Sequence, residues 1–212
     1  RIGAETGTVQ TDGQMVPVLG EYDVVVVGGG TAGAPAGIAA GRKGARTLVV
    51  EYLHGLGGVG TLGLIGKYYH GYREGFTKEI DQGLAQLGGE AEGNSGRGQA
   101  WNSQLKSEWY RHAMRKAGTD LWYGTLGCGA FVEGDRVKGV VVATPQGRGV
   151  ILADVVIDST GSGSIAAAAG GECIYTGGEH VAVQGTGLPH WDLGARYTNT
   201  DYTFIDDIDV YD

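Results

Sequence analysis

Three glycines and one glutamate are spaced for a definite piece of chemistry. Gly28-x-Gly30-x-x-Gly33 follows directly on Val24-Val25-Val26-Val27 and precedes a run of small residues, and Glu51 closes the next β-branched segment. Gly28 permits a tight strand-to-helix turn. Gly30 lacks the Cβ that would collide with a pyrophosphate on a helix N-terminus, and Gly33 lets the helix approach the strand closely. Glu51 comes about twenty residues after Gly30, where a carboxylate can accept hydrogen bonds from both hydroxyls of a ribose. A carboxylate there also repels a 2′-phosphate. A second set of chemically able side chains follows within residues 54–73: His54, Lys67, Tyr68, Tyr69, His70, Tyr72 and Arg73.

The elements that must position these groups are legible around them. The spacing predicts a buried parallel-type strand over 22–27, a helix over 34–43 closed by Gly44, and a second strand over 45–51, which together form one βαβ unit. Gly33, Gly37 and Gly41 recur at helical spacing with Ala36 and Ala40 beside them. Each internal glycine costs a helix about 1 kcal/mol relative to alanine, so such a stripe makes sense if the helix lies unusually close to the sheet. Further helices are expected over 76–87 and 103–117, the latter capped by Asn102 or Ser103 and stopped by Gly118. The segments 121–123, 129–133, 137–144 and 150–152 read as strands of a meander, with turns at Gly134-Asp135 and Gln146-Gly147. A final buried strand over 155–158 runs into Ser159-Thr160-Gly161-Ser162-Gly163 and a short helix over 165–169. Residues 1–20 read as an arm or leader and 89–99 as a loop, and no internal repeat is visible.

Composition excludes several classes. Glycine supplies 42 of 212 residues, but it shows no three-residue period, Pro is only 4, and 42% of the chain is hydrophobic. Collagen-like and disordered chains are excluded. The net charge of −8 opposes a generic nucleic-acid surface. No stretch of about 18 apolar residues exists to span a membrane, so a soluble protein of cytoplasmic or periplasmic type is expected. Cys128 and Cys173 are too few and too far apart for a disulfide framework or a zinc site. The chain opens on Arg1 and not on Met, which suggests processing or a piece of something longer.

The three segments DVVVVGGGTAGAPAGIAAGRKGARTLVVE, GLGGVGTLGLIG and GTLGCGAFVEGDRVKGVVVATPQGRGVILADVVIDSTGSGSIAAAAG together resemble the FAD-dependent oxidoreductases with the glutathione-reductase-type FAD fold, in order as well as in motif. The resemblance covers about residues 21–172. It implies a Rossmann-like parallel sheet with helices on one face and a three-stranded antiparallel meander on the other. It implies FAD as cofactor, with Gly28, Gly30, Thr31, Ala32 and Gly33 at the pyrophosphate, and Glu51 with its neighbour Tyr52 at the adenosine ribose. By the same resemblance the Gly57-Gly58 backbone approaches the cofactor, Phe131-Val132 offer backbone groups to the adenine, and Thr160-Gly161 close over the adenosine side. The glycine pair after Glu51 and the meander before the last buried strand favour FAD over NAD. Relatives commonly carry an acidic residue in the stretch that here reads Thr160-Gly161-Ser162-Gly163-Ser164, and they return late in the chain to a final strand with an acidic motif. This chain has serines in the first stretch, which argues against a charge-based role for that loop. The second feature is not found, so an N-terminal part of a longer flavoprotein is expected, completed by a second chain or a cleaved C-terminal segment.

In that fold the residues beyond the ribose-binding glutamate run toward the flavin. His70, Tyr69 and Lys67 are therefore the candidates for catalysis, His70 first, because a His or Tyr there can take a hydroxyl proton while hydride moves to flavin. His112 is expected as a core histidine. His180, His190 and Trp191 fall where a substrate domain, 173–212, would begin. Asp206, Asp207, Asp209 and Asp212 lack the glycine and closing Glu of a calcium loop, so no metal site is expected. The resulting expectation is hydride transfer from a CH–OH or CH–NH group of a small, sugar-like substrate. Two alternatives stay open: a flavin-dependent transient oxidation that cleaves a carbohydrate bond, and a non-catalytic FAD-binding subunit of a hetero-oligomer.

Overall fold

The computed structural model describes residues 15–68, 74–88 and 101–174. The six strands among them are β1 (Val18–Val27), β2 (Thr47–Glu51), β3 (Asp120–Tyr123), β4 (Leu126–Glu133), β5 (Arg136–Thr144) and β6 (Gly147–Asp158). The helices are α1 (Gly33–Arg42), α2 (Phe76–Gln86), α3 (Ser103–Lys116) and α4 (Ser164–Ala168). All belong to the first of two units into which the chain divides at Gly171 and Glu172.

Four consecutive valines leave a strand no polar face to turn to water, so it must lie inside a covered sheet. β1 does: it pairs in parallel with β2 on one side and β6 on the other, within the order β3-β2-β1-β6-β5-β4. Val26 and Val49 face a helical layer that includes Ala34, Ile38, Ile80, Tyr110 and Met114. Val25, Val27, Leu48 and Val50 face the opposite way and pack with Val140, Val142 and Ile151 from the antiparallel strands, and with Ile165. Helices thus cover one face and the meander the other, as expected.

The second covering requires a sharply curled sheet. β4 and β1 have two strands, β6 and β5, between them in the hydrogen-bonded order. Even so, a Cβ added at Gly127 of β4 would come within 2.3 Å of Val27 Cγ1. The antiparallel edge has folded back over the parallel strands, and the bare backbone at Gly127 permits the closeness.

Helix ends follow the local signals. Gly44 takes φ +88° just past α1, and the Ala45 amide reaches back to the Ala40 carbonyl, a Schellman closure. Asn102 accepts hydrogen bonds from the amides of Gln104 and Leu105 at the start of α3.

Four expectations are corrected. The segment near 121–123 joins the parallel sheet beside β2 and is not part of the meander. The strands expected at 150–152 and 155–158 are one continuous strand, β6, which pairs with β5 over 147–152 and with β1 over 150–158. β1 begins at Val18, inside the stretch read as a leader. His112 is exposed and not in the core, because α3 buries Lys106, Tyr110, Ala113 and Met114 instead.

α1 lies as close to the sheet as its glycines suggested. A Cβ at Gly37 would sit 2.3 Å from Val49 Cγ2, on a stiff β-branched side chain in the core. Alanine at position 37 gains about 1 kcal/mol of helix propensity, against an overpacking cost of about 1–3 kcal/mol. Gly37→Ala is therefore expected to lower stability by about 1 kcal/mol in urea unfolding. An unchanged or higher midpoint would mean that the helix can lift off the sheet freely.

Candidate functional site

The carboxyl ends of β1, β2 and β6 converge on one edge, and the glycine turn is built there. The Gly28 amide donates to Val50 O at 2.8 Å, and the Ser159 amide donates to Val27 O at 2.9 Å. Gly28 has φ +93°, and a Cβ on it would lie 2.5 Å from Ser159 O. A Cβ on Gly33 would lie 1.7 Å from Gly28 O, so the first turn of α1 rests directly on the strand end. Gly30 differs from both. The nearest atom to a Cβ there is Gly58 Cα at 4.0 Å, which leaves open space above the turn.

That space adjoins the N-terminus of α1, where the amides of Thr31, Ala32 and Gly33 hold no partner among the described residues, while the Ala34 amide donates to Gly30 O at 3.1 Å and Pro35 has no N–H. No side chain caps this end, and its first turn holds no acidic residue. A bare helix start with a glycine opening beside it is suited to the two negative charges of a pyrophosphate.

Glu51 closes β2 and is nearly buried. Its Oε2 accepts the Gly29 amide at 2.6 Å and its Oε1 accepts the Leu53 amide at 2.7 Å, so each oxygen already holds one backbone donor. The carboxylate is thereby fixed in direction beside the turn. The loop after it is tied back to the same place: the Gly57 amide donates to Gly29 O at 2.9 Å, and the Thr31 hydroxyl donates to Gly57 O at 3.0 Å. Gly58 starts a single 3-10 turn, and a Cβ on it would come within 3.1 Å of Gly30 Cα. Beneath Gly57 lies the Tyr110 ring, whose phenol is pushed above its ordinary range by burial and by the neighbouring Tyr68 and Asp81.

Asp158 ends β6 at the same edge. It accepts from the Thr160 amide and hydroxyl, at 3.0 and 2.7 Å, and from the amides of Ile165 and Ala166, both at 2.9 Å. Burial raises this carboxyl, but the hydrogen bonds from the Thr160 hydroxyl and the three amides outweigh it and hold the group below the usual value. Thr160 is half-buried, and Gly161 is exposed at φ +80°.

The structure therefore brings together Gly28, Gly30, Thr31, Ala32, Gly33, Glu51, Gly57 and Gly58, with Thr160 and Gly161 across the β1–β6 crevice. Tyr52 is 62% exposed next to Glu51. Phe131 and Val132 are not brought to this group. Phe131 registers through Gly139 and Leu152 with Glu21, near the opposite end of β1, and lines a separate cleft with Tyr22 and Ala153. The part of β4 that meets the end of β1 is Gly127. Lys67 is half-buried and His54 exposed. Tyr69, His70, Tyr72 and Arg73 lie outside the described residues, as do His180, His190, Trp191 and the terminal aspartates.

Three residues of the site's surroundings escaped the sequence reading. Asp158 stood in a strand ending with no visible partner. Trp101 donates from Nε1 to Gly60 O at 2.7 Å, and its amide donates to Gly66 O at 2.8 Å, so one residue pins both ends of the loop. Lys106 is 2% exposed, its Nζ 3.3 Å from the centre of the Trp101 ring. Its position on the helix face was the available signal, and its charge concealed it.

A parallel β3-β2-β1-β6 core with a glycine turn, a bare helix start and a fixed carboxylate defines a dinucleotide-binding protein, its ligand crevice lying where the strand order reverses between β1 and β6. The chain belongs to the FAD dependent oxidoreductase family, whose model matches residues 23–200. FAD is accordingly its cofactor, and the open Gly30 cradle, the uncapped α1 and the oriented Glu51 fit that group. Among solved structures, the crystal structure of Thermovibrio ammonificans THI4 is similar at 24% identity and a TM-score of 0.54, over 70% of this chain and 61% of that one. OxyS anhydrotetracycline hydroxylase from Streptomyces rimosus matches at 19% identity and a TM-score of 0.52, over 69% of this chain and 33% of that one. L-proline dehydrogenase from P. horikoshii matches at 14% identity and a TM-score of 0.51, over 73% and 57% of the two chains. At such identities the likeness is one of fold. The chain spans between a third and three fifths of these proteins.

Asp158→Ala is expected to destabilise the unit by about 1 kcal/mol or somewhat more, since it leaves a hydroxyl and several amides without their acceptor. The folded-state carboxyl lies below its unfolded value, so its contribution is present above the ordinary carboxylate range and is lost as pH falls through the folded value. Denaturant unfolding at neutral pH and at pH values descending through that range should show the two proteins converging. A gap that stays constant would assign the effect to packing and not to charge.

Proposed function

We propose that the whole protein uses FAD to exchange a hydride with a small molecule, at a carbon that carries a hydroxyl or an amine. The observation that carries this reading is the opening above Gly30 at the uncapped start of α1, flanked by the fixed Glu51 carboxylate. Membership of the FAD dependent oxidoreductase family supports it independently.

When bound, FAD supplies a hydride acceptor and donor. The chain's own groups divide the remaining work. The amides of Thr31, Ala32 and Gly33 at the entry to α1 would receive the pyrophosphate, and Gly30 leaves it room. Glu51 turns its free lone pairs toward the adenosine ribose, held in that direction by the Gly29 and Leu53 amides. Gly57 and Gly58, held beside Gly29 and Gly30, would offer bare backbone to the cofactor. Thr160 and Gly161 close the adenosine side, with Thr160 fixed by Asp158. Lys67, Tyr69 and His70 are the proposed catalytic groups: His70 or Tyr69 takes or returns a hydroxyl proton, and Lys67 holds negative charge. We assign the rest of the substrate site to residues after 172 and to a further segment or second chain, with a sugar-like substrate the chemistry best matched to the polar aromatic residues of 54–73.

Incubation of the whole protein with FAD, followed by desalting and an absorbance scan, tests the cofactor reading. Retained flavin bands in the visible are expected, and a folded protein that retains none would overturn it. Gly30→Ala sharpens the test because its Cβ meets nothing closer than 4.0 Å in the protein. It should unfold like the parent yet bind FAD about tenfold more weakly or worse, the added carbon meeting the pyrophosphate. Product analysis with and without an external electron acceptor then separates net redox chemistry from bond cleavage through a transient oxidation.

A further inference from the structure

Lys106 is the most deeply buried charged side chain of the helical layer, 2% exposed. Buried lysines are rare because an ammonium is strongly hydrated, and a chain that only needed volume there could use methionine. The surroundings of this ammonium are specific. Its Nζ lies 3.3 Å from the centre of the Trp101 ring and 4.7 Å from that of Tyr68, and it donates to the Tyr68 hydroxyl at 3.2 Å. The two rings also touch each other, with centroids 4.4 Å apart.

Both rings belong to the cofactor side of the molecule. Trp101 holds Gly60 O and Gly66 O, the two ends of the loop that begins at Gly58 against Gly30. Tyr68 stands between Lys67 and Tyr69 and so leads directly into the proposed catalytic residues. Aromatic faces attract a cation most strongly when it is desolvated, and the hydroxyl bond adds direction. A methionine would fill the space and hold neither ring in a set orientation.

We infer that Lys106 is a positioning residue for the flavin side of the site: its ammonium ties Tyr68 to Trp101 and thereby sets Tyr68 against the loop after Gly58. The inference rests on the FAD reading above. It places the residue outside contact with cofactor or substrate, acting through Tyr68.

The test is a double-mutant cycle on the full chain, with FAD as the probe: Lys106→Met, Tyr68→Phe and the pair together. FAD dissociation constants and the visible spectrum of the bound flavin are read for each. Each single change is expected to weaken binding about tenfold and to alter the flavin band in the same way, with the pair no worse than Lys106→Met alone. Losses that multiply, or a Lys106→Met protein that binds FAD with the parent's affinity and spectrum, would overturn the inference. If Lys106→Met does not fold, Tyr68→Phe carries the test, since it keeps the lysine and the ring and removes only the hydroxyl; parental affinity and spectrum in that variant would equally overturn it. A parent that takes up no FAD overturns the functional reading first, an outcome distinct from a parent that binds and variants that do not differ.

Discussion

The rest of the molecule depends on how closely the start of α1 approaches the end of β1. At Gly33 the distance left for a side chain is 1.7 Å to Gly28 O, less than any non-bonded contact. Glycine at 33 is therefore a condition of the fold itself. Moving the helix outward to admit a Cβ would carry its first amides away from the carboxyl edge of the sheet. It would also pull Gly37 off Val49 and break the bond from the Thr119 hydroxyl to Gly37 O, now 3.0 Å. Gly30, three residues earlier, obeys the opposite rule. The protein alone does not need a glycine there, and the room it leaves is explained by something that enters from outside.

The same economy of backbone governs the second face. Curling the meander over β1 and β2 buries Val27, Val50, Val140 and Val142 together. At about 25 cal/mol per Å² of apolar surface, such burial is the main favourable term in holding the sheet closed. The close crossing at Gly127 is what makes the curl possible. It also delivers the start of β4, and not its middle, to the carboxyl edge: the Thr125 amide donates to Glu51 O at 3.1 Å. The resemblance placed adenine contacts at Phe131-Val132, whereas the geometry of the curl brings Leu126 and Gly127 to that edge.

What could be read from residues alone follows from the range of the forces involved. The βαβ unit, its glycine turn and the ends of α1 and α3 are set by interactions a few residues long, and they stand where the spacing indicated. β3 was misassigned because a segment of only four residues, Asp120-Leu121-Trp122-Tyr123, carries no mark of which neighbour it joins. Its partner, β2, is about seventy residues away in the chain, and only the packed helix between them dictates a parallel return. The face of α3 was misjudged for a chemical reason. A stripe through Leu105, Trp109, His112 and Ala113 shares Ala113 with the buried one, Lys106, Tyr110, Ala113 and Met114, while its Leu105 and Trp109 are half-buried against the core. Counting the lysine as polar shifted the centre of the face to one side and placed His112 inside. The side chain that misled the count is the one held between Trp101 and Tyr68.

Asp158 shows why two helices starting on the same edge are treated differently. α4 begins beside the crevice, and its first amides are satisfied from within, by Asp158 at Ile165 and Ala166. That carboxylate is spent: its oxygens face the protein, and its charge is balanced by the donors around it. α1 receives no such group. Glu51 is held instead by Gly29 and Leu53, on the flank of the turn and not over the helix start. A chain that only had to fold would gain about 1 kcal/mol by capping α1 as it caps α3 with Asn102. Leaving that end bare while two carboxylates nearby are committed elsewhere keeps positive potential at one place on the edge, which suits the phosphates of an anionic dinucleotide.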